Sequence, residues 1–280
     1  LRKRLGLLIG TPHAGVSGAI TRAPRTEDAQ DGWFRKKSII FWFNEVESPM
    51  PPRSFYFLTL FPEVIKAYAQ SSMMKKAVDK GILHIEAINI RDFTTDKHNK
   101  VDAPPYGGGA GMVLACQPVV DAYRSLLPRL SQHRRVILTS PAGKPFQHAQ
   151  AKAWSETAQD VVFFCGHYEG FDERIFTLIP EIEDVSIGDF VLTGGELPAL
   201  SMMDAMARFI PDVVKEADSV MNDSFYYGLL DHPHYTRPAE FEGHKVPDVL
   251  LNGDHAKIAS WRCEQALIKT RRTRPDMLDE

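Results

Sequence analysis

The stretch SIGDFVLTGGELPA, Ser186–Ala199, decides how this chain folds. Ile187 follows Val185 in a run of β-formers that Phe190, Val191 and Leu192 continue. Gly188 interrupts the run and the Gly194–Gly195 pair ends it, with Asp189 in the middle and Glu196 and Pro198 opening the next element. The pattern predicts a strand, a glycine-bearing turn and a helix from about Glu196 to Ile210. Bare backbone just after a buried strand lets main-chain N–H and C=O groups approach a ligand with no Cβ in the way.

The same grammar occurs twice upstream. RVILTSPAGKP predicts a strand running into a turn at Ser140–Gly143. DVVFFCGHYEGFDER predicts a strand, a turn at Gly166–Gly170 and a helix ending at Pro180. Nearer the N-terminus, FYFLTLF reads as a buried strand from Phe55, and Pro62 opens a helix to about Gln70. KKAVDKG is helical and stops at Gly81, ILHIEAINI alternates like a strand, and a further helix is expected over about Gln117–Leu127. Residues 91–112, polar with Pro-Pro and three consecutive glycines, are expected as a long mobile loop. Strands alternating with helices predict an α/β fold with a mostly parallel sheet. Ligands of such sheets bind outside the carboxyl ends of the strands. All three glycine-bearing loops leave such ends, so they are expected to meet round one ligand.

The two ends of the chain read differently. Residues 1–54, rich in Gly, Pro, Ser, Thr and Arg, are expected as a poorly ordered or upstream-translated extension. Residues 55–212 form the α/β domain, 213–231 a linker, and 232–280 a small helical domain. Its main helix should start at the N-cap Asp254 and run to about Arg272. Ile258, Trp261, Gln265 and Ile268 share one face of it. Lys257, Arg262, Lys269, Arg271, Arg272 and Arg274 give it positive character, suited to solvent or to phosphates.

Composition narrows the classes. The chain has 280 residues, 44% hydrophobic and 25% charged, with a net charge of −3, ordinary values for a globular protein. Such a charge neither advertises nor excludes a nucleic-acid partner, because local patches matter more than totals. Cys116, Cys165 and Cys263 are scattered and form no C-x-x-C pair, which argues against a disulfide framework and fits a reducing cytoplasm. No apolar run is long enough for a membrane span, and the basic Leu1–Arg4 followed by the short apolar Leu5–Ile9 mimics a signal peptide only weakly. Dinucleotide, P-loop and H-E-x-x-H motifs are missing. His232 and His234 flank Pro233 with no accompanying ligand cluster, so no metal site is expected there.

Spacing alone does not join the polar residues into a site. Arg208 follows Asp204 by four, which reads as an exposed helical ion pair. Asp223 reads as a turn former and Glu169 as a solvent-facing acid.

Longer motifs say more. CGHYEGFDER, SIGDFVLTGGELPAL, MARFIP, NDSF, LLDHPHYTRP and VLLNGDHAKIASWR resemble the signature run of bacterial tRNA (guanine-N1)-methyltransferases. FLTLFPE, IRDFTTDKHNKVD and PYGGGAGM resemble the N-terminal part of the same family, so the likeness runs from Phe55 to about Leu278. The resemblance implies a SPOUT-type α/β fold with a C-terminal trefoil knot, a topology no periodicity could suggest. It implies a homodimer that uses S-adenosylmethionine to methylate N1 of the guanosine at position 37, in the anticodon stem-loop of tRNA. Leu138 and Pro141 then fall in the first cofactor loop. Gly166, Tyr168, Glu169 and Gly170 fall in the second, and Ile187, Gly188, Asp189, Phe190, Val191, Leu192, Gly194, Gly195 and Pro198 in the third. Asp223 is implied as general base and Arg208 as its helper. Ser219, His234, Arg237 and Arg262 are implied as tRNA contacts. Mg²⁺ is implied as a requirement, with Glu169 a weak candidate ligand.

The chemistry suits those two residues. Guanine N1 is a poor nucleophile until its proton leaves, and a carboxylate can take it. Negative charge then grows toward O6, where an always-cationic Arg can stabilise it. Three departures stand out: His167 where the family usually has Arg, His232 where Cys is common, and Ala110 where Pro is common. The first is expected to weaken a phosphate contact or to make it pH-dependent. The competing readings are a SPOUT enzyme acting on ribose 2′-OH or rRNA, and a nucleotide-binding sensor without catalysis.

Overall fold

The computed structural model describes residues 52–215 and 217–278. The extension expected over 1–54 lies outside the described residues as far as 51, whereas Arg53 and Ser54 already belong to the first strand. Five strands form one sheet: β1 (Arg53–Thr59), β2 (Leu83–Asn89), β5 (Arg134–Pro145), β6 (Asp160–Cys165) and β7 (Ile182–Ser186). Their order is β2-β1-β6-β5-β7 and every pairing is parallel, as the alternating pattern predicts.

Alternation along each strand sorts side chains between two cores. Phe55 and Phe57 of β1 pack with Ile137, Val161, Phe163 and Val185 on one face. The helices α1 (Pro62–Ala69), α2 (Ser72–Asp79), α4 (His148–Thr157) and α6 (Glu196–Ala207) cover that face. Tyr56 and Leu58 point the other way, to Val136, Leu138, Val162 and Phe164, under α3 (Cys116–Leu126) and α5 (Arg174–Leu178). β6 is buried along its whole length, the signature of a central strand covered on both sides. Among the described residues no helix is long and apolar enough to cross a membrane.

Several expectations need correction. Residues 91–112 are organised rather than bare loop. A 3₁₀ turn spans Ile90–Phe93, and β3 (Asp102–Ala103) pairs antiparallel with β4 (Val113–Leu114). Within it Asp96 accepts from the amides of His98 (2.8 Å) and Lys100 (3.2 Å), local bonds that give the chain a turn of its own. In the quoted stretch the strand stops at Ser186, because the Ser186 hydroxyl captures the Gly188 amide at 3.1 Å and the ladder ends. Ile187, Phe190, Val191 and Leu192 therefore lie in a loop.

The region expected as a linker carries a short helix, α7 (Ala217–Met221), and buries Leu229 and Leu230. A two-strand hairpin follows, β8 (Glu240–Phe241) with β9 (His244–Lys245). The last helix, α8 (His255–Thr273), starts as predicted, with the Asp254 side chain accepting from the Lys257 amide at 3.1 Å. Its buried face is Cys263, Ala266 and Thr270, whereas Ile268 stays 47% exposed. The reason is polar: the Thr270 hydroxyl accepts from the Leu230 amide at 2.8 Å and ties that face to the chain before it.

β5 departs most from expectation. It does not end at the turn. Thr139 pairs with Val185, residues 140–143 swing out, and Lys144 and Pro145 return to pair with Val185 and Ser186. Gly143 permits the return, since a Cβ there would stand 2.6 Å from the Asp184 carbonyl carbon and 2.7 Å from that of Val185. Both obstacles are backbone and cannot rotate away. Gly143→Ala should thus cost about 1–3 kcal/mol, the usual range for overpacking, read as a lower urea midpoint with an unchanged slope.

Candidate active site

The carboxyl ends of β6, β5 and β7 are neighbours, so the loops leaving them converge. They line a cavity of about 480 Å³, the size range of small-ligand sites. Of the residues expected there, Leu138, Pro141, Gly166, Tyr168, Glu169, Gly170, Ile187, Gly188, Phe190, Val191, Leu192, Gly194, Gly195 and Pro198 all line it. Asp189 does not line it and is exposed, at a turn where the Gly188 carbonyl accepts from the Phe190 amide at 3.0 Å.

Glycine sets how closely the loops approach. The Gly195 amide donates to the Gly166 carbonyl at 2.8 Å, and a Cβ on Gly195 would lie 2.7 Å from Cys165 Cα and from the Gly166 nitrogen. The second loop is in turn buttressed by the segment expected to be mobile. The Glu169 amide donates to the Met112 carbonyl at 3.0 Å, and the Leu114 amide to the Gly170 carbonyl at 2.9 Å. Gly111 lies directly against the Glu169 side chain.

Behind His167, which lines the cavity, stands a buried acid. Glu196, 5% exposed, opens α6, where the helix N-terminus favours negative charge. Its carboxylate accepts from the Thr59 hydroxyl and from His167 Nε2, the latter at 2.8 Å. Thr59 Oγ1 itself accepts from the Phe61 amide at 2.9 Å, which orients it. The His167 ring also packs on Phe61, with centroids 4.8 Å apart. His167 Nε2 is therefore committed to a buried carboxylate.

Arg208 and Asp223 come together. Asp204, the expected helical partner of Arg208, instead accepts from the Tyr68 hydroxyl. Burial and that carboxylate push the Tyr68 phenol up to about 12. Arg208, just past the end of α6, pairs with Asp223 across the linker, both side chains about one-third exposed. His148 stands near the pair, its ring edge-on to Phe209 at 5.1 Å, and burial holds it below the usual imidazole range. Neither Arg208 nor Asp223 lines the cavity of its own chain. Ser219, His234, Arg237 and Arg262 are all exposed, which a contact surface requires.

Sequence reasoning missed Thr139, Phe171, Glu173, Phe176 and Asp184 in the lining. Asp184 is the notable one. One carboxylate oxygen is buried with no hydrogen-bond partner, and burial followed by the neighbouring Glu173 raises its pKa. Its place in EIEDVSIG, one residue before the strand's last pair, held no spacing signal.

Comparison with known proteins supplies the context. Residues 53–280 match the model of the family described as tRNA (Guanine-1)-methyltransferase TrmD. A protein of Exiguobacterium sp. is 53% identical over 222 residues, covering 79% of this chain and 91% of that protein. One of Clostridioides difficile is 48% identical, covering 80% and 96%. One of Lactiplantibacillus plantarum is 50% identical, covering 79% and 89%. Each is named tRNA (guanine-N(1)-)-methyltransferase.

The Glu196 contact makes its own prediction. Removing the ring in His167→Ala leaves a buried carboxylate with one side-chain donor fewer, at a cost of about 1–3 kcal/mol. Glu196→Gln, which keeps shape and loses charge, should tolerate that loss better. Chemical denaturation of the single and double variants reads both effects, and equal costs of His167→Ala in the two backgrounds would show that the contact carries no charge dependence.

Proposed function

The chain belongs to the tRNA (guanine-1)-methyltransferase family and is a tRNA guanine-N1 methyltransferase, and from that premise we propose that its three-loop cavity holds S-adenosylmethionine while Asp223 and Arg208 act on guanosine at position 37. The observation that carries the reading is the Arg208–Asp223 ion pair, joined across 15 residues of sequence. On guanine, N1–H and O6 sit side by side, a donor beside an acceptor. A carboxylate beside a guanidinium is the matching acceptor and donors.

The residues of the cavity fit the cofactor. Gly166, Gly170, Gly194 and Gly195 leave main-chain groups open to its polar edges, and Leu138, Ile187 and Leu192 offer apolar surface. Bound there, S-adenosylmethionine supplies a methyl group on a cationic sulfur. Asp223 accepts the N1 proton, which leaves the N1 electron pair free for the methyl carbon. Arg208 holds the charge that spreads to O6. Mg²⁺ stays a requirement taken from the family. Among the described residues Glu169, Glu173 and Asp184 line the cavity without gathering their ligand atoms into one cluster, and Glu169 is the candidate oxygen donor.

We read the protein as a cytoplasmic homodimer with the SPOUT knot, formed where residues 134–145 and 182–195 cross. Phe190, Val191 and Leu197 expose apolar surface at 53%, 80% and 60% beside the cavity, surface that a second copy would cover. Because Asp223 and Arg208 lie outside their own chain's cavity lining, the base and the methyl donor meet across the subunit boundary in this arrangement. Residues 213–231 act as the linker that closes over the target base. Residues 232–280 grip the anticodon stem-loop, with Ser219, His234, Arg237 and Arg262 on the contact surface.

Labelled S-adenosylmethionine and tRNA transcripts that differ only at position 37 test this. Label should enter the guanosine transcript alone; label in ribose or in rRNA would move the enzyme to another target. Asp223→Ala should lower the rate about 10²–10⁴-fold with cofactor binding intact, and Arg208→Ala should act in the same direction. A normal rate for Asp223→Ala would remove the base assignment, and no label transfer by the unaltered chain would favour a sensor. Mixed dimers of Asp223→Ala with the cavity variant Gly194→Val should regain activity that neither parent has, and silence in the mixture would place base and donor in one subunit.

A further inference from the structure

LLDHPHYTRP bends where the linker meets the C-terminal helix, and there the sequence places three potential metal ligands within four residues. The two histidines looked unaccompanied in the sequence; Asp231 is the third donor. One ligand atom from each of Asp231, His232 and His234 lies within 4.8 Å of the others. Pro233 between the histidines fixes its own φ and pushes His232 toward extended backbone. Extended backbone sends residues two apart to the same side, and the two rings accordingly stand 4.4 Å apart.

The hydrogen bonds already orient the donors. His232 Nδ1 is 3.1 Å from the Pro233 carbonyl oxygen, which can only accept, so Nδ1 carries the proton. The lone pair is then on Nε2, and it faces Asp231 Oδ1 at 3.8 Å. Two acceptors held face to face leave a place for a cation. Metal-bound histidines characteristically donate their other ring N–H to a carbonyl in this way. His234 Nε2 lies 2.6 Å from the second carboxylate oxygen, and its ring is exposed and free to re-aim.

We propose that Asp231, His232 and His234 form a binding site for a late first-row divalent cation, with Zn²⁺ the ion the donor set suits best. Two imidazoles and a carboxylate are nitrogen-rich, which selects Zn²⁺, Ni²⁺ or Cu²⁺ over Mg²⁺ and Ca²⁺. Ligand bonds of about 2.0–2.2 Å put tetrahedral ligands roughly 3.3 Å apart, a contraction that side-chain rotation of Asp231 and His234 supplies. Water completes the fourth position. The ion would act as a clip. Asp231 donates its amide to the Ser224 hydroxyl at 2.9 Å, next to Asp223, and Leu230 is bonded to Thr270 of α8 at 2.8 Å. A metal at this bend therefore fixes the chain between the proposed base and the C-terminal helix.

The test uses the full chain without a histidine tag, stripped with chelator and dialysed against Zn²⁺. About one zinc per chain should remain by atomic emission, and competition with a chromophoric chelator gives its affinity. His234→Ala should weaken binding by more than the roughly 10–100-fold that loss of an outer-shell partner costs. His98→Ala, at an exposed histidine far from the bend in sequence, should leave it unchanged. Zinc should also raise the melting temperature of the unaltered chain and not that of His234→Ala. His234 is exposed, so its variant should fold, and its melting temperature in chelator provides the control. Absence of bound zinc in the unaltered chain, or equal affinity in His234→Ala, overturns the proposal.

Discussion

The hydrogen bond from the Gly195 amide to the Gly166 carbonyl holds the site together. It locks the loop after β7 onto the loop after β6, and the approach is this close because Gly195 carries no side chain to meet Cys165 Cα and the Gly166 nitrogen. The Thr139 hydroxyl sits at the same junction, 3.1 Å from the Phe164 carbonyl and 3.3 Å from that of Gly195, so all three strand ends are drawn to one point. One of these contacts is backbone to backbone and the other two run from a buried hydroxyl to backbone carbonyls. A cavity built this way has walls as stiff as the sheet itself, which is the condition for holding a ligand in one pose.

A charge is buried under that junction. Glu196 opens α6 with its carboxylate out of solvent, tolerable only because Thr59 and His167 both face it. Thr59 ends β1 and His167 follows β6, so the acid fastens two strands of the sheet to the first turn of the helix that leads to Arg208. Packing, polar satisfaction and the placing of Arg208 thus share one small group of atoms. The family usually has a permanent cation at position 167; here an imidazole does the work of a donor to Glu196.

Much of this was legible in the sequence, and for physical reasons. Strand and helix periods reported the α/β class, and Asp254 announced the start of α8 because N-caps act locally. The three glycine loops pointed to one cavity because bare backbone after a buried strand has few other uses. What stayed hidden depends on distant parts of the chain. Arg208 looked like the partner of Asp204, but Tyr68, 136 residues earlier, takes that carboxylate. The strand after Val185 looked longer than it is, since a single serine hydroxyl ends it. Asp184 gave no spacing signal, yet carries an unpartnered buried oxygen. The buried face of α8 carried no clear sequence signal, because Thr270, a polar residue, is the one tied inward.

The Arg208–Asp223 pair also explains why the reaction should wait for its substrate. In the chain alone each group satisfies the other, and the carboxylate is held by a guanidinium rather than facing a proton donor. The proposed guanine edge can enter only by taking over both halves of that contact: N1–H for the acceptor, O6 for the donors. A base with the opposite edge, such as adenine with an unprotonated N1 beside an amino group, would set acceptor against carboxylate and donor against guanidinium. In the proposed mechanism, discrimination then arises from the same two side chains, the carboxylate that takes the proton and the guanidinium that holds the charge. A mismatched edge would break a charge-assisted contact and put nothing in its place.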